Sequence, residues 1–335
     1  MGKDAAMILA GDIGGTTTRL AAFEVAHGTL RVVAEKDYPS REHSGLGDIV
    51  GLFAAAHAAG FDDACFGIAG PVRDARVKTP NLPWVIEASA LARQLGLAAV
   101  SLINDLEANA WGIAALGPDD VRILNAGAPA ALGNAGVIAA GTGLGQAGLF
   151  WDGERHWPFS CEGGHADFAP RTALEAELLR HLTGSFAHVS YERVLSGPGL
   201  RHIYEFLRDT GRGAETPAVV EAMRDQDIAA VIARAALERR CRLCVDALEL
   251  FVSIYGAEAG NVGLKFMAVA GVYLGGGIAP KIVGKLQEGA FMRAFVAKGR
   301  MQPLLESMPV RVILNPKTAL LGAARYAALR TGLLR

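Results

Sequence analysis

An α/β fold in two domains is what the sequence predicts, and three observations carry that reading. The chain has 335 residues, more than a single hydrophobic core usually organises. Apolar runs of strand character alternate with segments of helical spacing along most of its length. A strand, a turn of glycine and threonine, and a second strand ending in Phe occur twice, at Ile8–Phe23 and at Val137–Phe150. The two segments align as an internal duplication.

The elements follow in order. Ala6–Gly11 is an apolar strand, and Thr17–Val25 and Thr29–Glu35 alternate on either side of a His27-Gly28 turn. Asp48–Ala59 has helical spacing, Ala64–Ala69 is a short buried strand ending at Gly70-Pro71, and Glu87–Leu95 is a helix stopped by Gly96. Strand Ala98–Ile103 and helix Leu106–Leu116 lead to Gly117-Pro118. That punctuation predicts a first domain over 1–116 and a second over 117–316. In the second domain, strands Val137–Ala140 and Gln146–Trp151 enclose the repeated turn. Helices Thr172–Leu182, Pro198–Arg208 and Ala218–Met223 precede one long helix over Ile228–Ala259. Strand Met267–Leu274 runs into Gly275-Gly276-Gly277 and a helix from Ile278, and strand Val310–Leu314 and helix Ala319–Leu333 follow.

Composition removes several function classes. The 33 basic and 34 acidic residues nearly balance, so no basic excess exists to hold a nucleic-acid backbone. No run reaches the roughly 18 apolar residues of a membrane helix. The short apolar run near the N-terminus has no cleavage site and reads as a strand, not a signal peptide. Four cysteines make no disulfide framework. Cys241 and Cys244 form a C-x-x-C inside the long helix and read as two half-buried helix residues, not as zinc or redox chemistry. The expectation is a soluble protein of a reducing, cytoplasmic compartment, with neither nucleic acid nor membrane as partner.

The two turns suit a polyphosphate. Such a ligand needs backbone N–H groups aimed at its oxygens with no Cβ in the way. Gly11, Asp12, Gly14, Gly15, Thr16 and Thr17 supply this in the first turn, and Gly141, Thr142 and Gly143 in the second. Asp12 can hold Mg²⁺ directly or through water, and Arg19 adds a cationic contact. The Walker pattern is absent, and a dinucleotide fingerprint would require helices after the glycines where strands follow. Gly276 and Gly277, at the carboxyl end of a buried strand, leave room for an adenine, although close helix-on-strand packing explains them nearly as well.

In that order, Gly11-Asp12-Ile13-Gly14-Gly15-Thr16, Gly141-Thr142-Gly143-Leu144-Gly145 and Gly275-Gly276-Gly277-Ile278 resemble the actin-like, hexokinase-type ATPase superfamily. Along nearly its whole length the chain resembles the bacterial glucokinases. The resemblance implies a two-domain actin-like ATPase (ribonuclease H-like) fold with an interdomain cleft that takes ATP and a sugar. It also implies that the last helix, within 317–335, folds back onto the first domain.

Phosphoryl transfer to a hydroxyl needs a positioned base. Asn104-Asp105 follows a buried strand, where a carboxylate faces a ligand crevice. Read from the residues alone, the N-cap of the next helix is the preferred role for the pair. Glu162-Gly163-Gly164-His165 lets two polar side chains converge on one ligand, and a metal site with Cys161 is the other reading. Glu192 fits either a sugar contact or a near-match to a capping box begun by Ser190. The resemblance implies that Asn81, Asn104, Asp105, Glu162, His165 and Glu192 contact glucose, with Asp105 as catalytic base. Pro80 and Pro83 flank Asn81 more stiffly than in the family pattern.

Three rivals were weighed against this set. The resemblance to the ROK family covers the fold and the Asn-Asp pair, but ROK members resemble one another in a cysteine-rich zinc loop after the Glu–His segment, and here no cysteine follows His165 until Cys241. A DNA-binding sugar sensor needs an N-terminal helix-turn-helix, and only a few residues precede the first strand. A binding protein without catalysis fits poorly with intact Asp12 and Asp105. The expectation is an ATP- and Mg²⁺-dependent glucokinase that acts as a homodimer, with the apolar helix around Cys241–Tyr255 as either a dimer face or simply core.

Overall fold

The protein is represented by a computed structural model that describes residues 5–57 and 60–334. Ala58 and Ala59, the end of the helix expected over Asp48–Ala59, lie outside the described residues. The chain divides into two compact units, one of residues 1–118 with 315–335 and the other of residues 119–314.

Unit 1 is built on strands β1 (Ala6–Ile13), β2 (Thr17–Ala26), β3 (Thr29–Pro39), β4 (Asp63–Ile68), β5 (Arg76–Lys78), β6 (Val85–Glu87) and β7 (Ser101–Asn104). Five of them form one sheet in the order β3-β2-β1-β4-β7, and β5–β6 is a separate hairpin. β1, β2 and β3 are antiparallel neighbours, while β4 and β7 run parallel to β1. Side chains alternate across β1, as a two-residue period requires. Leu9 and Ile13 face a core with Phe53, Phe66, Trp84 and Leu91, below helices α1 (Leu46–Ala55) and α2 (Ala88–Leu95). Ile8 and Ala10 face the other core, made with α3 (Asp105–Gly112) and the C-terminal helix (Thr318–Arg330). Ala319, Ala323, Ala324 and Ala327 give that last helix a flat buried face. Gly322 brings its backbone so near the Ala108 carbonyl of α3 that no Cβ fits between them.

Unit 2 contains β8 (Val121–Asn125), β9 (Ala135–Ala140), β10 (Leu144–Trp151), β11 (His156–Cys161), β12 (Gly271–Gly275) and β13 (Val310–Ile313), in the order β11-β10-β9-β12-β13-β8. β9, β10 and β11 are antiparallel, and β12 and β13 continue parallel to β9. The duplicated sequence pattern therefore corresponds to a duplicated topology: three antiparallel strands, then two parallel ones. Only β8 at the edge has no counterpart.

The helices of unit 2 are α4 (Ala173–Thr183), α5 (Gly197–Asp209), α6 (Pro217–Asp225), α7 (Ile228–Leu237), α8 (Arg242–Phe266), α9 (Val283–Gln287), α10 (Ala290–Val296) and α11 (Gln302–Ser307). The single helix expected over Ile228–Ala259 is two. It breaks at Arg239, whose φ of 55° is left-handed and ends α7 without a glycine. α8 then runs past the expected stop to Phe266, so the strand expected from Met267 starts at Gly271. The helix expected from Ile278 begins as a 3₁₀ turn over Ala279–Ile282, where Pro280 has no N–H to give. The helix expected over Leu106–Leu116 ends as α-helix at Gly112 and tightens into a 3₁₀ turn.

α8 is the central helix of unit 2. Its Leu243, Cys244, Ala247, Leu248, Phe251, Val252, Ile254 and Tyr255 are all buried in the unit's own core. Of the two readings of the Cys241–Tyr255 stretch, dimer face and core, the structure realises the core. Cys241 and Cys244 are fully buried, not half-buried.

Candidate active site

In unit 1 the register of β1 with β2 pairs Ile13 with Thr18 and leaves Gly14–Thr17 as a hairpin tip. The Gly14 N–H donates to the Thr17 carbonyl at 3.0 Å. Ser40, just after β3, holds this tip from below. Its N–H donates to the Thr16 carbonyl at 2.9 Å, and its hydroxyl donates to the Gly14 carbonyl at 2.8 Å. Gly11 is buried, and a Cβ there would meet Phe66 and Leu20. Core packing, not approach to a ligand, accounts for that glycine. Asn81 lies in the loop joining β5 to β6 and is exposed, and its side chain rests on Gly15. The Thr79 hydroxyl donates to the carbonyls of Leu82 at 2.9 Å and Trp84 at 3.2 Å, which stiffens the loop further than its two prolines alone.

Asp12 stands in register with Arg19 on β2, and Arg19 with Asp37 on β3. Arg19 is spoken for: its Nε and a terminal nitrogen donate to the two Asp37 oxygens at 2.7 and 2.9 Å, and Glu35 lies 3.5 Å away. The cationic phosphate contact expected of Arg19 is corrected accordingly. Asp12 is partly exposed, yet its carboxyl is pushed up to about 6. Desolvation is the main cause and the nearby Asp105 charge the next, while Arg19 opposes both and Asp37 adds to them.

Asn104 ends β7 and caps α3. Its Oδ1 accepts from the N–H groups of Leu106 at 2.9 Å and Glu107 at 3.4 Å, and its Nδ2 donates to the Gly70 carbonyl at 3.1 Å. The cap reading is thus realised at the same residue that ends a buried strand. Asp105 is the first residue of α3, and its Oδ1 accepts from the Leu106 N–H at 3.0 Å. The electrostatic coupling of Asp12 and Asp105 places two carboxylates in one polar region at the carboxyl ends of β1 and β7.

In unit 2 the second tip is Gly141–Gly143, closed by Leu144 opposite Ala140 and by a Gly141 N–H to Gly143 carbonyl bond of 2.8 Å. Three segments gather round it. The Glu192 carboxylate accepts from the Leu144 N–H at 2.9 Å and lies where a Gly143 Cβ would sit. Glu192 belongs to a 3₁₀ turn, Tyr191–Arg193, and the Ser190 side chain makes no cap there, so the capping-box reading is not realised. Gly164 packs on the Leu144 carbonyl and so brings Glu162 and His165 to the same place. These two side chains are exposed, with Nε2 and Oε2 4.0 Å apart. Gly276 has φ of +78° and lies against the Ala140 backbone, while Gly277 is exposed beside it. The left-handed turn at Gly276 is one that only glycine makes without strain.

The metal reading of the Glu162–His165 segment finds no support in its surroundings. The Cys161 thiol donates to the Gln146 carbonyl at 3.5 Å, and burial raises its pKa. Among the described residues, no three His, Cys, Asp or Glu side chains gather as a metal-binding group. Sequence reasoning also missed the residues beneath these loops: Ser40, Gln146, Glu258 and Asn261. A glutamate in the apolar run Phe251–Gly263 was the available signal for one of them.

The repeated sheet with a glycine-tipped hairpin in each unit, and carboxylates around both tips, define a sugar kinase of the two-domain actin-like ATPase fold. The Glucokinase family profile matches residues 9–330. A glucokinase of Nostoc punctiforme is 42% identical over 96% of this chain and 99% of its own. The solved glucokinase of an Antarctic psychrotroph is 29% identical, with a TM-score of 0.83 over 98% of this chain and 100% of that one. A ROK-family glucokinase of Streptomyces griseus, solved with glucose and AMPPNP, shares the fold at 23% identity and a TM-score of 0.63, over 96% of this chain and 99% of that one. The chain belongs to the glucokinase family. It is an enzyme, a hexose kinase that uses ATP.

Proposed function

We propose that the enzyme transfers the γ-phosphoryl group of ATP to the 6-hydroxyl of glucose, giving glucose 6-phosphate for the entry to glycolysis. The observation that carries the roles is the coupling of Asp105, at the start of α3, to Asp12, beside the first glycine tip. Asp105 acts as general base and accepts the hydroxyl proton as that oxygen attacks phosphorus. Asn81, Asn104, Glu162, His165 and Glu192 hold the sugar hydroxyls. Asn104 keeps one amide hydrogen for this after its bond to Gly70. The remaining N–H groups of the two tips, those not used by Gly14 and Gly141 to close them, hold the phosphates, and Gly276 and Gly277 leave space for the adenine.

Mg²⁺ fits this donor set. Two neighbouring carboxylates whose charges oppose each other suit a hard cation that takes one or two protein oxygens. Asp12 would hold it, and when bound it neutralises charge on the phosphates. Four free cysteines among the described residues accord with a reducing, cytoplasmic compartment. The reading extends to a homodimer, which light scattering checks; its interface lies elsewhere than on buried α8.

A coupled assay for ATP-dependent glucose phosphorylation, with Asp105→Asn as control, tests the proposal. The variant should lose at least about 10²-fold in kcat. Near-normal turnover would remove Asp105 from its role. Glucose binding without turnover in the unsubstituted protein would favour a sugar sensor, and a hexose panel would show which sugar is preferred.

A further inference from the structure

Glu258 is an acid that the proposed chemistry does not use. It sits on α8 with no exposure to solvent. A carboxylate so placed must be met by donors, and it is. Gln146 Nε2 donates to Oε1 at 2.8 Å, and Asn261 Nδ2 donates to Oε2 at 2.7 Å. Lys265 approaches Oε1 at 3.8 Å from the surface.

Each of these partners leads to a different sugar-side segment. Gln146 pairs with Cys161 across β10 and β11, and its backbone carbonyl accepts from the Cys161 thiol. Its side-chain oxygen occupies the space that a Cβ of Gly163 would need. The donor end of this amide is turned to Glu258, so the oxygen end is turned to the Glu162–His165 turn. Asn261 donates to the Tyr191 hydroxyl at 3.1 Å, and its own oxygen accepts from Lys298 at 2.5 Å. Tyr191 is buried, precedes Glu192, and donates its N–H to the Ala166 carbonyl at 3.0 Å. One buried carboxylate is therefore the branch point of a network that reaches Glu162 and His165 on one side and Glu192 on the other.

We propose that Glu258 is a positioning residue for sugar binding: through Gln146 and Asn261 it sets the Glu162–His165 turn and Glu192 in one fixed geometry. The inference rests on the sugar role proposed for those three residues. A well-packed apolar side chain at 258 would satisfy the core equally well, but it would leave the Gln146 and Asn261 amides unoriented.

The test compares Glu258→Gln with the exchanged double variant Gln146→Glu/Glu258→Gln, in the full chain. The single variant can face Gln146 with a second N–H donor, which turns one amide over. The double variant restores a donor–acceptor pair with its polarity reversed and keeps an oxygen toward Gly163. The expected result for Glu258→Gln is a rise of at least about tenfold in KM and calorimetric Kd for glucose, with KM for ATP within about twofold. The double variant should recover most of the glucose affinity. Normal glucose affinity in Glu258→Gln overturns the role of Glu258 alone. So does an equal rise in both KM values that the double variant does not reverse. An unsubstituted protein that neither binds nor phosphorylates glucose overturns the functional reading, and the role of Glu258 with it.

Discussion

The two units repeat one sheet topology and differ in the side chains around its tips. Each has three antiparallel strands followed by two parallel ones, with a glycine tip on the first hairpin. In unit 1 the tip is buttressed by a neutral hydroxyl, Ser40, and the charge lies beside it on Asp12 and Asp105. In unit 2 the tip itself is clasped by a carboxylate, Glu192, and no comparable acid ends β13. The repeated backbone thus provides a phosphate-sized turn twice. On the proposed reading, unit 1 supplies the proton acceptor with two of the sugar contacts, Asn81 and Asn104, and unit 2 supplies Glu162, His165 and Glu192.

The sharpest way to break this contrast is to remove one acid from each unit. Asp105→Asn should reduce kcat by at least about 10²-fold, whereas Glu162→Gln should act mainly on KM for glucose. Equal kcat losses would mean that the division of labour is wrong.

A second comparison concerns packing. Gly322 meets the Ala108 carbonyl in unit 1, and Gly256 on α8 meets the Phe291 carbonyl of α10 in unit 2. Gly322→Ala and Gly256→Ala should each destabilise by ~1–3 kcal/mol or more through overpacking. Hydrogen exchange should show lost protection in the substituted unit first. Equal loss in both units would show that they unfold as one.

The third comparison is electrostatic. In the folded protein Asp12 holds its proton up to about 6, above the ordinary carboxylate range. The folded state therefore binds more protons than the unfolded one between about pH 4 and pH 6, and stability falls as pH rises through that window. Asp12→Asn has no proton to lose. In the nucleotide- and metal-free protein it should be more stable than the parent at pH 8, by ~3 kcal/mol. That gain should vanish near pH 4. A gain that persists at pH 4 would assign the effect to something other than ionisation.

The smallest effect is expected at the clasp. Glu192→Gln leaves an acceptor for the Leu144 N–H but removes its charge, a change of ~1 kcal/mol. KM for glucose should rise several-fold.

Much of this was legible in the residues. The glycine and threonine tips between apolar strands announced both hairpins, because only strands on either side fit the pattern. The positions of Asn104 and Glu192 were legible too, and so was the cap that Asn104 makes, whereas the contact of Glu192 with the Leu144 N–H was not. β11 was missed because Pro158 and exposed aromatics break its strand pattern, as an edge strand allows. The break between α7 and α8 was missed because Arg239 adopts a left-handed turn that sequence normally signals with glycine. The coupling of Asp12 to Asp105 depends on parallel β1, β4 and β7, a long-range pairing that no local pattern encodes. Glu258 was hidden in an apolar helix, where a charged residue reads as a surface position.

The C-terminal helix carries one more consequence, for biosynthesis. It covers one face of a sheet whose strands all precede unit 2 in the chain, so all of unit 2 is translated in between. At ribosomal speeds that interval is roughly 10–40 s. During it Ile8, Ala10, Ala21 and Phe23 have no lid of Ala323, Ala324 and Ala327. The later unit can finish folding before the earlier one, and until then the nascent first sheet keeps an apolar face uncovered by its last helix.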